Sequence, residues 1–297
     1  MHSAHDQGTV LITGACGHIG RELCHLLRNA DREIMPIDID PDGTQGTVAC
    51  DLRSEQSVSA LFRTHSIQTV IHLAGILPSA FQADPLAGAA VNLNASIELI
   101  RQAAAARVKR FVFASSMSVY GSRGTSQPLT ETEPVVPDEP YGGSKRVIEL
   151  IGGALATKST IEFVALRIAR VVGPGIRKSL SLWHSQIFET ALRQTSIVIP
   201  FSPQARLSLV HVNDVARMLM MLADIGEIRS SIYNTPAEIW TAQRLKGLIE
   251  EIRRFRVELV EGAPDGGPMC EGSRFVREFG FQSRGLRAQL SDCAARD

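Results

Sequence analysis

Residues 9–23, TVLITGACGHIGREL, place three glycines between a short β-branched segment and the start of an amphipathic segment. We predict a strand over Thr9–Thr13, a turn that contains the glycines, and then a helix. Gly14 allows a sharp turn, Gly17 lets the backbone approach a pyrophosphate, and Gly20 lets the helix pack against the strand. Because the first amides of a helix attract anions, this stretch predicts a dinucleotide-binding turn.

The spacing of these glycines is G-x-x-G-x-x-G, which differs from the G-x-G-x-x-G of the general dinucleotide fingerprint. In a chain with 24 glycines such a triplet also arises by chance, so its position between a strand and a helix carries the prediction. A structural turn that binds no ligand is the alternative.

Two aspartates follow later predicted strands. Asp38 ends the second strand, where its carboxylate can accept hydrogen bonds from the adenosine ribose of a dinucleotide. The same charge repels a 2′-phosphate, so we predict NAD rather than NADP. A turn aspartate at residues 38–41 is the alternative. Asp51 either holds the adenine amino group or begins the turn at residues 51–54.

Short apolar runs alternate with longer helical patterns through the first half of the chain. The predicted strands are Thr9–Thr13, Glu33–Asp38, Gly46–Cys50, Thr69–Leu73, Arg110–Ala114 and Ile161–Ile168. The predicted helices are His18–Asn29, Ser54–His65, Pro85–Arg107 and Tyr141–Thr157. This alternation is typical of an α/β fold with a doubly wound parallel sheet.

The rest of the chain is less regular. Residues 116–140 are polar and proline-rich, and we predict a functional loop at the carboxyl ends of the strands. Residues 176–297 are predicted to form a smaller, mostly helical part, from which residues 206–225 return to the main sheet. Thr241 is a predicted N-cap of a helix with apolar residues at i, i+3, i+4 and i+7.

Composition limits the classes of partner. Lys plus Arg and Asp plus Glu both number 31, so no basic field attracts nucleic acid or anionic membranes. The 5 cysteines fit neither a disulfide framework nor a metal site, and we expect reduced thiols in the cytoplasm. No secretion signal or long apolar span is visible. We therefore expect a small-molecule substrate and no metal.

Tyr141 and Lys145 are four residues apart at the start of a predicted helix, so their side chains share one face. A nearby ammonium stabilises a phenolate and brings the pKa of tyrosine towards neutrality. Ser116, at the end of the fifth strand, can hydrogen-bond a substrate oxygen and direct it to Tyr141. An ordinary solvated pair is the alternative for Tyr141 and Lys145.

The order of several motifs resembles the extended short-chain dehydrogenase/reductase family, in its NAD-dependent epimerase/dehydratase branch. These motifs are TGACGHIG, HLAG at 72–75, FASSMSVYG at 113–121, YGGSK at 141–145, LRIARVVGPG at 166–175 and HVNDVA at 211–216. The resemblance implies a Rossmann-like NAD-binding domain at residues 1–175, a substrate domain at 176–297 and a homodimer built through a helix pair. It also implies sugar or nucleotide-sugar substrates.

The same resemblance implies that Ser116, Tyr141 and Lys145 are the catalytic residues. The predicted cofactor contacts are Gly14, Gly17, His18, Ile19, Gly20, Asp38, Asp51, Leu52, Leu73, Ala74, Gly75, Asn92, Tyr141 and Lys145. The predicted substrate contacts are Ser115, Ser118, Arg170 and Arg206. His211 and Asp214 match a strand-to-helix junction of the family and are expected to be structural.

The chain departs from the family's pattern beside the serine. Dehydratases of the family have an Asp-Glu pair where this chain has Met117 and Ser118, and neither residue can shuttle a proton near neutral pH. Reductase-epimerases use a Cys where Met117 stands. Dehydration and that kind of epimerisation are therefore disfavoured.

Two more departures concern the substrate. Arg170 stands where nucleotide-sugar members commonly have Asn, and Leu207 stands where they have Arg. Arg206 precedes that position by one residue, and on a strand a shift of one residue turns the side chain to the opposite face. Arg170 could hold a carboxylate of a sugar acid, or it could form a structural ion pair.

Two classes of function remain open. The first is NAD-linked oxidation at a secondary alcohol of a sugar, sugar acid or nucleotide sugar, as half of an epimerisation or as a net dehydrogenation. The second is a catalytically inactive NAD-sensing protein that uses the same fold to bind partners.

Overall fold

The computed structural model describes residues 8–42, 44–122, 124–176, 181–189, 196–254, 256–263 and 266–295. Its strands are β1 (Thr9–Thr13), β2 (Ile34–Asp38), β3 (Val48–Ala49), β4 (Ile67–His72), β5 (Arg110–Ser116), β6 (Glu162–Ile168), β7 (Arg170–Val172), β8 (Ser196–Ile199), β9 (Arg206–His211), β10 (Ile232–Asn234), β11 (Glu238–Thr241) and β12 (Arg256–Leu259).

Its helices are α1 (His18–Asn29), α2 (Glu55–Thr64), α3 (Pro78–Ala83), α4 (Pro85–Ala89), α5 (Ser96–Ala105), α6 (Pro140–Ala156), α7 (Trp183–Gln186), α8 (Val212–Asp224), α9 (Ala242–Arg253), α10 (Ser273–Phe279) and α11 (Leu286–Ala294). A π-helical turn, Ala90–Ala95, connects α4 to α5, and a 3₁₀ turn, Met117–Tyr120, follows β5.

A parallel sheet of 7 strands in the order β10-β6-β5-β4-β1-β2-β3 forms the centre of the fold. The order reverses between β1 and β4, so their carboxyl ends border the crevice in which doubly wound sheets bind ligands. The strands β1, β4, β5 and β6 are almost wholly buried, as a sheet covered on both faces requires. The predicted Rossmann-like α/β fold is therefore confirmed.

Helices cover both faces of this sheet. On one face α1 and α8 pack together, and α1 buries Leu23, Cys24 and Leu27. On the other face lie α2, α5 and α6, with Val58, Leu99 and Ile148 in the core. These two apolar layers fix where α1 and α6 begin relative to the strand ends.

A second, smaller core lies beside the large sheet. It contains the sheet β11-β9-β7, the pair β12-β8, and the helices α9 and α11. Of residues 206–225, which are predicted to return to the large sheet, the helix α8 packs on that sheet, whereas β9 pairs with β7 and β11. The strand that does return is β10, which pairs with β6 and is too short to show as a pattern in the sequence.

Several predicted boundaries differ from the structure. The helix predicted over Pro85–Arg107 is divided into α4, the π-helical turn and α5. The strand predicted over Gly46–Cys50 is shorter in the structure, where β3 contains only Val48 and Ala49. The helix predicted from Thr241 begins there, and the Thr241 hydroxyl accepts a hydrogen bond from the backbone of Arg244. Within the described residues, no helix combines the length and apolar character needed to cross a bilayer.

Candidate active site

The glycine turn between β1 and α1 packs tightly against the chain that leaves β4. Gly14 has a φ of +69°, and a Cβ there would lie 2.7 Å from the backbone nitrogen of Ala74. A Cβ on Gly20 would overlap the Gly14 carbonyl oxygen. Gly17 is exposed and is the N-cap of α1. Two glycines therefore close the turn, and the third leaves an open surface at the first helical amides.

Asp38 ends β2 beside this turn. One carboxylate oxygen accepts a hydrogen bond of 2.9 Å from the backbone nitrogen of Cys16, and the other accepts one of 3.2 Å from that of Asp40. The first contact holds the carboxylate next to the glycine turn, and the second makes Asp38 a turn residue as well. Both interpretations of Asp38 are therefore compatible with the structure.

The other predicted cofactor residues are spread around the crevice. Leu73 and Ala74 follow β4 next to Gly14. Nε2 of His18 lies 3.0 Å from the backbone oxygen of Pro174. Asn92 holds the backbone of Ile76 through two hydrogen bonds, of 2.7 and 2.9 Å. Gly75 is exposed and Ile19 half-buried at the same edge.

Asp51 and Leu52 have mainly structural partners. Asp51 forms a bidentate ion pair with Arg53, and that partner holds the pKa of Asp51 below its usual value. Leu52 is buried in the core under α2. The turn interpretation of Asp51 is the one that these contacts favour.

The start of α6 is fixed by its cap. The Glu139 carboxylate accepts hydrogen bonds from the backbone nitrogens of Tyr141, at 2.8 Å, and Gly142, at 2.5 Å. Pro140 occupies the first helical position, where a missing N–H does no harm. A Cβ on Gly142 would overlap the backbone oxygen of Ser118. The glycine therefore lets α6 approach the turn after β5.

Lys145 and Tyr141 share one face of α6, as predicted. Lys145 Nζ is buried, lies 5.5 Å from the centre of the Tyr141 ring and donates a hydrogen bond of 2.8 Å to the backbone oxygen of Ala114. Burial lowers the pKa of Lys145 to about 8, although the charge of Glu149 opposes the decrease. Lys145 thus stays protonated at neutral pH.

The pKa of Tyr141 differs from the sequence-based expectation. Burial raises it to about 12, and a side-chain hydrogen bond with Ser116 only partly opposes this increase. The ammonium of Lys145 donates a hydrogen bond to the backbone oxygen of Ala114 and not to the phenol of Tyr141. The protein's own residues therefore keep the phenol protonated, and a further positive charge is needed to bring its pKa towards neutrality.

Adjacent serines of β5 face opposite sides, as the strand period requires. Ser116 Oγ accepts a hydrogen bond of 3.1 Å from the backbone nitrogen of Ser118 and lies against Tyr141. Ser115 is buried and donates a hydrogen bond of 2.7 Å to Glu149. The structure brings Ser116, Tyr141 and Lys145 together and directs Ser115 away from them towards Glu149, so the predicted contact of Ser115 with substrate stays a prediction that this hydrogen bond does not favour. Ser118 stays beside Ser116.

A buried ionic network under the site was missed in the sequence. Glu149 forms a bidentate ion pair with Arg167, at 2.8 and 2.9 Å, and accepts a hydrogen bond of 3.1 Å from Arg146. Arg167 also donates a hydrogen bond of 2.8 Å to the hydroxyl of Tyr120. Glu149 follows Lys145 by one helical turn, which is the signal in the sequence that could have revealed it.

The two arginines predicted to bind substrate lie in different environments. Arg206 is exposed at the start of β9 and donates a hydrogen bond of 2.9 Å to the backbone oxygen of Ser126. Arg170 donates one of 3.1 Å to the backbone oxygen of Gly266, and its guanidinium lies 5.0 Å from the centre of the Phe201 ring. Within the described ranges, no carboxylate pairs with Arg170, which argues against the structural ion pair.

His211 and Asp214 cap and buttress α8. His211 Nδ1 accepts a hydrogen bond from the backbone nitrogen of Asn213, and buried Asp214 accepts hydrogen bonds from Arg217 and Ser283. In the part of the chain that the structure describes, no group of three His, Cys, Asp or Glu side chains could hold a metal ion.

Residues 10–234 match the sequence model of the NAD dependent epimerase/dehydratase family. A UDP-glucose 4-epimerase from Halalkalibacterium halodurans is 28% identical over 179 residues, which cover 55% of this chain and 51% of that relative. The chain thus spans about half the length of the curated relatives that it matches.

Solved structures resemble the chain over nearly its whole length. MoeE5 in complex with UDP-glucuronic acid and NAD is 29% identical, with a TM-score of 0.82 and coverage of 97% of this chain and 99% of that one. A UDP-glucose 4-epimerase of Thermus thermophilus in complex with NAD is 21% identical, with a TM-score of 0.83 and coverage of 97% and 98%. At that lower identity the likeness concerns the fold alone.

Proposed function

The chain belongs to the NAD dependent epimerase/dehydratase family, and we propose that it is an NAD-linked oxidoreductase that oxidises a secondary alcohol of a sugar, sugar acid or nucleotide sugar. One observation carries this proposal. The Ser116 side chain lies against Tyr141, with Lys145 one turn away on the same face of α6, beside the crevice between β1 and β4. This is the arrangement that an acid-base step at an alcohol requires.

The residues of the crevice fit an adenine dinucleotide. The turn leaves an open surface at Gly17, where the first helical amides can bind a pyrophosphate. Asp38 stands where a ribose diol would be held and a 2′-phosphate repelled. NAD supplies a hydride acceptor and, in its oxidised form, a positive charge. Such a charge near Tyr141 lowers the pKa of the phenol.

In the proposed reaction, Ser116 orients the substrate hydroxyl by a hydrogen bond. Tyr141 in its phenolate form would remove the hydroxyl proton, and a bound NAD would accept the hydride from the same carbon. Lys145, still protonated near neutral pH, stabilises the phenolate. In the reverse direction Tyr141 returns the proton to the carbonyl oxygen. Ser116 and Tyr141 would have the same roles in an epimerase, which would keep its reduced cofactor, and in a dehydrogenase, which would release it.

We propose a homodimer formed through α6. Val147 and Leu150 expose 39% and 55% of their surfaces and lie three residues apart, on one face of the helix. Burying this apolar face against a second copy removes it from water. Light scattering of the wild type and of Leu150→Glu tests this arrangement, since a monomeric wild type contradicts it.

We further propose a cytoplasmic location. All 5 cysteines lie within the described residues and none of them forms a disulfide. Thiols that remain reduced are the rule in the cytoplasm.

The experiment follows NADH absorbance while the purified chain and NAD are mixed with neutral sugars, sugar acids and nucleotide sugars. Net NADH formation supports a dehydrogenase. Interconversion of two sugars without free NADH, followed by chromatography, supports an epimerase. Tyr141→Phe should abolish either activity and keep NAD binding. Neither activity with any substrate, together with tight NAD binding, would instead support the NAD-sensing class.

A further inference from the structure

Arg170 is a half-buried cation with unused hydrogen-bonding capacity. Its Nε is buried and, among the residues that the structure describes, has no hydrogen-bond partner. Burial lowers the pKa of Arg170, since desolvation disfavours its charge. The ring of Phe201 and the backbone oxygen of Gly266 are its contacts. Neither contact carries a negative charge, and within the described ranges no carboxylate pairs with the guanidinium.

Two more buried nitrogens near Arg170 have no partner in the described part of the chain. They are Nε1 of Trp183 and Nε2 of His184. The Trp183 ring lies 6.3 Å from that of Phe201 and 4.2 Å from that of His184. A buried donor without an acceptor loses its hydrogen bonds to water and gains none in return. Arg170 Nε and Trp183 Nε1 can only donate, and Nε2 of the neutral His184 ring donates in one of its two tautomers. A ligand that brings oxygen acceptors would satisfy this group of donors.

This group of donors lies next to the candidate active site. Ser116 pairs in register with Ile168, two residues before Arg170. Gly266, which Arg170 contacts, precedes Gly267, and a Cβ there would lie 3.8 Å from the Cε of Met117. Met117 directly follows Ser116. Both the strand register and the contact of Gly267 with Met117 therefore place Arg170 on the Ser116 side of the fold.

We propose that Arg170 binds a carboxylate of the substrate, so that the substrate class is the sugar acids; this rests on the proposed function. The Nε–H and the neighbouring terminal N–H of a guanidinium point the same way and match the two oxygens of a carboxylate. The bound oxygens also compensate the buried charge.

The positions of the two arginines, Arg170 and Arg206, favour a carboxylate over the diphosphate of a nucleotide sugar. A diphosphate carries two charges, and the other candidate cation, Arg206, is exposed and bound to the backbone of Ser126. A single guanidinium matches a single carboxylate. A diphosphate remains the competing outcome of the test.

The test measures binding separately from turnover. Calorimetry follows the binding of glucuronate, galacturonate, galactose and UDP-glucose to the full chain with NAD, in a Tyr141→Phe background. We expect a uronate to bind and galactose to bind at least tenfold more weakly. Adding Arg170→Met should raise the Kd of the uronate by about 30-fold or more, because a buried ion pair loses its cation. Arg170→Lys keeps the positive charge but lacks the two parallel N–H groups of a guanidinium. Its Kd for the uronate should lie between those of the Arg170 protein and of Arg170→Met.

Arg101→Met is the matched control, since it removes an exposed guanidinium on α5 and should leave the uronate Kd unchanged. An unchanged Kd in Arg170→Met and Arg170→Lys overturns the proposal, as does a panel in which no uronate binds. Preferred binding of UDP-glucose that is lost in Arg206→Met also overturns it, in favour of a diphosphate. Uronate binding without turnover by the wild type contradicts only the proposed function.

Discussion

The ammonium nitrogen of Lys145 lies 5.5 Å from the centre of the Tyr141 ring, and burial shifts the pKa values of the two groups in opposite directions. The pKa of Tyr141 is raised to about 12, and that of Lys145 is lowered to about 8. Both shifts favour the neutral side chain. Catalysis as proposed needs the phenolate of Tyr141, which the positive charge of oxidised NAD favours, and the ammonium of Lys145, which the charge of Glu149 favours.

The pH dependence of alcohol oxidation follows from these pKa values. The rate should rise with pH by about tenfold per unit at low pH, because the phenolate is the base. It should level off near pH 8, where Lys145 loses its proton and ceases to stabilise the phenolate. In Lys145→Arg the cation does not titrate, so the levelling should disappear. Values of kcat/KM from pH 6 to pH 10 check this, and a levelling shared by both proteins would rule out Lys145 as its cause.

The neighbouring serines should separate activity from stability. Ser116→Ala removes the hydrogen bond to the reacting oxygen and should lower kcat by about 100-fold with little effect on unfolding. Ser115→Ala removes the donor to buried Glu149 and should destabilise the fold by about 1–2 kcal/mol with turnover retained. Steady-state kinetics and thermal unfolding of both variants test this. A greater loss of turnover in Ser115→Ala would contradict the side-chain directions of β5.

Coenzyme choice should depend on Asp38. Asp38→Asn keeps an oxygen for the Cys16 amide but removes the charge that repels a 2′-phosphate, so the ratio of kcat/KM for NADP over NAD should rise by about tenfold. Asp51 is paired with Arg53, and Asp51→Asn should leave that ratio unchanged. Equal changes in both variants would show that Asp38 has no special part in the choice.

Much of the fold could be predicted from local patterns. Residues 9–23 gave the correct strand, turn and helix, because the sterics of Gly14 and Gly20 act within the turn itself and against the adjoining strand. The spacing of Tyr141 and Lys145 placed them on one face, since the helical period is a local property.

What the sequence did not reveal depends on contacts between distant segments. The approach of Gly266 to Arg170 joins residues far apart in the chain, and no pattern in either segment indicates it. The return of β10 to the large sheet depends on its pairing with β6. The raised pKa of Tyr141 likewise comes from burial by many neighbours and not from the nearby lysine.

The glycine turn offers a test of close packing. Gly20→Ala would force a methyl group against the Gly14 carbonyl, so we expect a loss of about 1–3 kcal/mol in stability and weaker NAD binding. Gly247→Ala lies inside α9 with open space around it and should raise stability by about 0.5–1 kcal/mol. Thermal unfolding with and without NAD distinguishes these effects. A neutral Gly20→Ala would mean that the turn tolerates a Cβ.

The buried pair of Glu149 and Arg167 should be far more important for stability than a surface pair. Burial acts to lower the pKa of Arg167, but the hydrogen bonds and charge of Glu149 outweigh it and raise that pKa. Glu149→Gln leaves a buried cation without its partner, and the loss should be about 3–5 kcal/mol in the free energy of unfolding. Glu98→Gln, which breaks an exposed pair with Arg101, should lose about 0.5 kcal/mol or less.

A double variant shows whether unpaired charge is the cause of that loss. Glu149→Gln combined with Arg167→Gln removes both ions of the pair, so neither is left without the other. Its loss of stability in urea should be smaller than the sum of the two single losses, because each single variant includes the penalty of an isolated ion. Strict additivity would mean that Glu149 and Arg167 act through separate contacts, such as those with Ser115 and Tyr120.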